Sequence, residues 1–104
     1  MKILVVEDEE DTRRAFVNML KKRGHEVLEA TKGQEAIDII ESQKLDMVYL
    51  DIQLADHVDG IEVLKQIKPK FPQIEIVMMS AYETEYKGEC LKLGAYSFCR
   101  KPII

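Results

Sequence analysis

The apolar positions along the chain fall into two rhythms. Ile3, Leu4, Val5 and Val6 run without a break, as do Met47, Val48, Tyr49 and Leu50, and Ile76, Val77, Met78 and Met79. Such continuous runs mark strands buried on both faces, as in a parallel sheet. Between them the spacing turns helical. Ala15, Phe16, Met19 and Leu20 share one face of a helix over about 10–23, stopped by Gly24. Ala36, Ile37 and Ile40 define a second helix ending near Ser42, and Thr31 with Gln34 three residues on reads as its capping box. Ile61, Leu64 and Ile67 define a third helix, opening at Gly60. A weaker helix spans about 84–93; Gly88 inside it costs about 1 kcal/mol relative to alanine. Residues 25–30 form a polar strand that belongs at a sheet edge, residues 74–80 a fourth strand and residues 97–100 a last one.

Five strands alternating with four helices predict an α/β doubly wound domain with right-handed crossovers. The 104 residues make one domain, 1–104, without repeats or linkers. Three of the strands end on chemistry. The first runs into Glu7 and Asp8, the third ends at Asp51 and the fourth at Ser80, while Lys101 follows the fifth. A parallel sheet brings all these carboxyl ends to one edge, where open α/β sheets bind their ligands. In strand order 2-1-3-4-5 the acids of strands one and three are neighbours.

Such acids repel. Two carboxylates about 4 Å apart cost roughly 4 kcal/mol at an effective dielectric of about 20. An oxygen-only, solvent-open set of carboxylates suits Mg2+, and Lys101 adds a fixed positive charge. A metal, a lysine and a hydroxyl are what a transferring phosphoryl group requires, with Asp51 as the nucleophile. Taken singly, each residue has a plainer use: Asp8 as a cap for the first helix, Ser80 and Lys101 as solvated ends. Their gathering at four strand ends is what favours chemistry.

Composition removes other classes. A net charge of −4 and a pI near 5.2 argue against direct nucleic-acid binding by this domain. The basic run Lys21, Lys22, Arg23 closes a helix, where cations complement the dipole. No apolar run approaches a membrane span, no signal peptide opens the chain, and Cys90 and Cys99 lack metal-ligand spacing; these features predict a cytoplasmic protein with reduced thiols. His25 and His57 have no triad partner.

The ordered set Glu7-Asp8, Asp51, Asp59-Gly60, Ser80-Ala81, Gly94-Ala95-Tyr96 and Lys101-Pro102 resembles a two-component response-regulator receiver domain over nearly the whole chain. The resemblance implies the flavodoxin-like order 2-1-3-4-5 and phosphoryl transfer to Asp51 from a sensor histidine kinase or phosphotransfer protein. It implies Mg2+ held by Asp8, by Asp51, by Glu7 through water and by the backbone carbonyl of Gln53. Ser80 and Lys101 then engage the phosphoryl group, and Ser80 and Phe98 form the switch that reshapes a protein-interaction surface. Such a module is no enzyme toward outside substrates; its chemistry is Mg-dependent self-phosphorylation and self-dephosphorylation.

The chain departs from the family pattern in four ways. Ala55 replaces the usual proline and the loop from Asp51 to Gly60 is one residue longer than usual; the stretch from Ser80 to Lys101 is one residue shorter than usual; Phe98 replaces the commoner tyrosine; and the last helix is lacking after Lys101-Pro102. That helix would bury about three large apolar side chains, worth roughly 5–9 kcal/mol. The expectation is a piece of a longer protein, or a homodimer or domain-swapped assembly through the bare face. Two alternatives remain beside the phosphoacceptor. A receiver-like adaptor that takes no phosphate is disfavoured by the full acid set and Lys101. An α/β phosphatase or nucleotide hydrolase is disfavoured by the absence of a Walker loop and by Gln53, which stands where a phosphatase of this kind carries its general acid.

Overall fold

The computed structural model describes residues 1–54, 59–81 and 86–101. Along the chain run β1 (Lys2–Val6), α1 (Glu10–Lys22), β2 (Glu26–Ala30), α2 (Gly33–Ser42), β3 (Met47–Asp51), α3 (Gly60–Ile67), β4 (Glu75–Ser80), α4 (Lys87–Lys92) and β5 (Ser97–Arg100). All strand pairs are parallel, and the order across the sheet is β2-β1-β3-β4-β5. The polar β2 is an edge, as its composition requires. Among the described residues no helix follows β5. No helix of the described residues is long and apolar enough to cross a membrane.

The two-residue period of the strands divides the core. Leu4, Val6, Val48, Leu50, Ile76 and Met78 face α2 and α3, whose Ala36, Ile37, Ile40, Val63, Leu64 and Ile67 complete the larger cluster. Ile3, Val5 and Met79 face Phe16, Val17 and Leu20 of α1 in the smaller one. Each fully buried Leu or Ile stabilises the fold by about 1.5–3 kcal/mol relative to exposure. This smaller layer is incompletely covered: Met47 and Tyr49 of β3 stay half-buried, so β3 is buried fully on one face only. The Tyr49 ring stands edge-on to Phe16 with centroids 4.7 Å apart.

Several local readings shift. Val17 is buried and Ala15 exposed, so the inward face of α1 runs through Arg13, Phe16, Val17 and Leu20 at helical spacing. Glu9, and not Asp8, occupies the N-cap of α1. At α2 Glu35 Oε1 accepts from the Thr31 amide at 2.8 Å, and Gln34 Nε2 donates to Asp38. α2 begins at Gly33 with Lys32 as its N-cap. The described part of α4 is Lys87–Lys92; the expected start at Thr84, and Tyr82, lie outside the described residues, as do Ala55, His57 and Pro102. Gly24 (φ 90°) and Gly94 (φ 101°) end α1 and α4 in the left-handed region that favours glycine.

Candidate functional site

Main-chain bonds extend three of the ladders one step past their strands. Glu7 donates its amide to Ala30 O at 3.1 Å, Ile52 donates to Met79 O at 3.0 Å, and Lys101 donates to Ser80 O at 2.7 Å. Three strand ends are thereby brought to a common edge before any side chain is considered. Asp59 caps α3 by accepting the Glu62 amide at 2.9 Å. Gly60 donates to Ile52 O at 2.8 Å and passes so close to β3 that a Cβ there would strike the main-chain carbonyl of Asp51. The Asp59-Gly60 pair thus holds the far end of the loop against the acid, a close approach only glycine allows.

Carboxylate oxygens of Glu7, Asp8 and Asp51 lie within 4.8 Å of one another, with Asp8 exposed and the other two buried. Lys101 Nζ bridges two of them, 2.6 Å from Glu7 Oε2 and 2.6 Å from Asp51 Oδ2. The Glu7 and Asp51 side chains are only 3% and 4% exposed, against 18% for Lys101. Asp51 Oδ1 accepts the Gln53 amide at 3.1 Å. Burial, then the hydrogen bond with Asp51, pushes the Glu7 carboxyl up from 4.5 to about 7, although Lys101 pulls the other way. Burial alone would lower the Lys101 ammonium, but hydrogen bonds to Asp51 and Glu7 outweigh it and raise the group.

The donor set can be tested against Mg2+ on chemistry alone. It is all oxygen and partly open, and it carries two negative charges left uncompensated by Lys101 when every acid is ionised. A hard divalent cation that keeps several waters fits such a set. Softer metals do not, since Cys90 and Cys99 stand elsewhere: Cys90 is fully buried, its thiol pushed up to about 11 by burial, and Cys99 lies in β5.

A family model for the response regulator receiver domain matches residues 3–104. The chain belongs to the response-regulator receiver family. It is 34% identical over 103 residues to sporulation initiation phosphotransferase F of Bacillus subtilis, covering 98% of this chain and 82% of that protein. It is 36% identical over 104 residues to a cyclic di-GMP phosphodiesterase of Thermotoga maritima, covering 99% of this chain. The receiver spans only 27% of that larger relative and 42% of the transcriptional regulator PhoP of Bacillus subtilis. Among solved structures it resembles the response regulator TrrA of Thermotoga maritima, determined in complex with Mg2+-BeF, at TM-score 0.89 and 30% identity, covering 98% of this chain and 87% of that one. The acidic cluster Glu7, Asp8 and Asp51 is the pocket typical of phosphate-accepting receivers.

The residues picked out in the sequence gather as follows. Glu7, Asp8, Asp51 and Lys101 meet. Ser80 is buried at the carboxyl end of β4, next in line to the main-chain bond that seats Lys101. Gln53 joins through its amide, with its side chain exposed. Phe98 stands on β5 opposite Met78, half-buried against the larger core. Two contributors went unrecognised. The steric need at Gly60 has no signature beyond the Asp-Gly pair itself. Arg13 lies at the helical spacing of Phe16, Val17 and Leu20, so a cation on an inward face was the signal.

Proposed function

We propose that this receiver domain accepts a phosphoryl group on Asp51 from the phosphohistidine of a sensor kinase or phosphotransfer protein and uses the new charge to switch a protein-binding surface. The observation that carries this reading is Asp51 itself: a buried carboxylate facing Lys101 Nζ at 2.6 Å and grouped with Glu7 and Asp8. A carboxylate oxygen of Asp51 attacks phosphorus, the P–O bond forms as the P–N bond of the donor breaks, and the imidazole leaves with the electron pair. Lys101, already held between Asp51 and Glu7, stays beside the acid and pairs with the phosphoryl oxygens. Ser80 donates its hydroxyl to the same group from the end of β4. Asp8, Asp51, Glu7 and the Gln53 carbonyl would hold Mg2+, which would offset the charge that builds on the transferring group.

Readout follows from the same geometry. The phosphoryl group brings about two negative charges to a strand end where Ser80 and Lys101 are joined through one main-chain bond. Movement of Ser80 toward the phosphoryl group draws Phe98 inward from its half-buried place on β5, changing the surface around it. Phe98 has no hydroxyl to offer a partner, so the signal is one of shape.

The test is incubation with Mg2+ and an acyl phosphate, followed by intact mass and by stability of the adduct to acid and base. One phosphoryl group per chain, base-labile and lost in Asp51→Asn, is the expected result. An adduct that persists in Asp51→Asn, or no adduct with any donor, refutes the assignment.

A further inference from the structure

We propose that Arg13 is a positioning residue for the acid pair, setting the peptide plane between Glu7 and Asp8 and hence the cation site they form with Asp51. The inference rests on the cation-binding part of the function proposed above. Arg13 occupies the inward face of α1 one turn before Phe16 and Val17, with its side chain only 12% exposed. A cation held there against the sheet has defined partners. Its Nη1 donates to the main-chain carbonyl of Glu7 at 3.2 Å, and its Nε donates to Glu29 Oε1 on β2 at 3.0 Å.

The consequence lies in the backbone. The Glu7 amide is bonded to Ala30 O, so its main-chain donor is engaged in the β1–β2 ladder and its carbonyl is held by Arg13. The chain leaves the sheet at this carbonyl, and a carbonyl without its partner is free to rotate toward water. Rotation of that peptide swings the Asp8 backbone, while Glu7 stays anchored beside Lys101. Arg13 therefore acts on the exposed acid of the cluster through the main chain. Glu29 fixes the guanidinium plane and offsets its charge, so that the cation beside the site does not repel a metal.

Charge and position predict opposite signs. If Arg13 were only a nearby positive charge, removing it would tighten Mg2+ binding. As a positioning residue its loss weakens binding, and groups that orient ligands typically govern about 10–100-fold in affinity. The experiment is calorimetric Mg2+ titration of the wild type, Arg13→Met, Arg13→Lys and Glu29→Ala, with the Asp8 amide resonance followed in metal-free protein. Arg13→Met is expected to weaken Mg2+ about tenfold and to move the Asp8 resonance. Arg13→Lys, which keeps one donor, should recover part of the loss. Glu29→Ala changes a partly exposed strand position and, because it also removes a negative charge, is read by the Asp8 resonance in metal-free protein and not by affinity; that resonance should move, which keeps the test available should Arg13→Met fail to fold. Unchanged or tighter Mg2+ binding in Arg13→Met, or an unmoved Asp8 resonance in Glu29→Ala, with the wild type binding normally, overturns the positioning role and leaves the proposed function intact. A wild type that binds no Mg2+ overturns the cation-binding part of that function, and this inference with it.

Discussion

The Lys101 ammonium lies between two buried carboxylates, and its removal has a consequence that depends on pH. In the metal-free wild type the Glu7 carboxyl is raised from 4.5 to about 7, so the folded chain holds a proton that the unfolded chain has released. Stability therefore falls as pH rises through that window, by about 1.4 kcal/mol per pH unit, and levels off above the folded value. Between about pH 6 and pH 8 the wild type should lose about 1.4 kcal/mol from this group. In Lys101→Met the ammonium that lowers Glu7 is gone, so the carboxyl rises further and keeps its proton over more of this interval. The variant should therefore lose more than the wild type over the same interval, up to the full-slope limit of about 2.7 kcal/mol. A pH-independent loss of roughly 1.5–3 kcal/mol accompanies it, for the charged hydrogen bond between Lys101 and Asp51. Urea unfolding at the two pH values, with a chelator present, measures both parts. Parallel profiles for wild type and variant would falsify the idea that Lys101 governs the Glu7 proton.

Other outcomes follow from the same contacts. Asp51→Asn removes the neighbour whose hydrogen bond and charge raise Glu7, so the fall in stability between about pH 6 and pH 8 should flatten, on top of a pH-independent loss from the weakened bond to Lys101, as denaturant midpoints will report. Mg2+ should bind more tightly as pH rises through about 7, because the metal requires ionised Glu7; a titration without proton release near neutrality would contradict this. Gly60→Ala forces a Cβ into the Asp51 carbonyl and the Ile52 backbone, so a loss of about 3 kcal/mol or more is expected in thermal or urea unfolding, with slowed phosphorylation of Asp51 in whatever folds. Gly94→Ala puts a side chain at φ 101° and within 2.9 Å of the Lys68 stem, a cost of about 1–3 kcal/mol that should leave Mg2+ affinity unchanged.

Much of this protein is determined locally. The unbroken apolar runs ending at Val6, Leu50 and Met79 point to parallel strands inside a layered fold, and the observed bounds of β1 and β3 match those expected, while β4 begins one residue later at Glu75. The alternation of strands and helices then delivers Glu7, Asp8, Asp51, Ser80 and Lys101 to one edge, because parallel strands share a direction. What spacing could not decide are quantities set by neighbours distant in the chain. The inward face of α1 shifted from Ala15 to Val17 because Ile3, Val5 and Met79 beneath it chose the contact. Tyr49 stays half-buried because β3 has a well-covered face and a poorly covered one, a property of layers and not of the strand. The raised Glu7 carboxyl, the shared grip of Lys101 and the reach of Arg13 to the Glu7 carbonyl are likewise tertiary. Each depends on distances between β1, α1, β2, β3 and the end of β5, and Coulomb and hydrogen-bond energies vary steeply over those few ångströms.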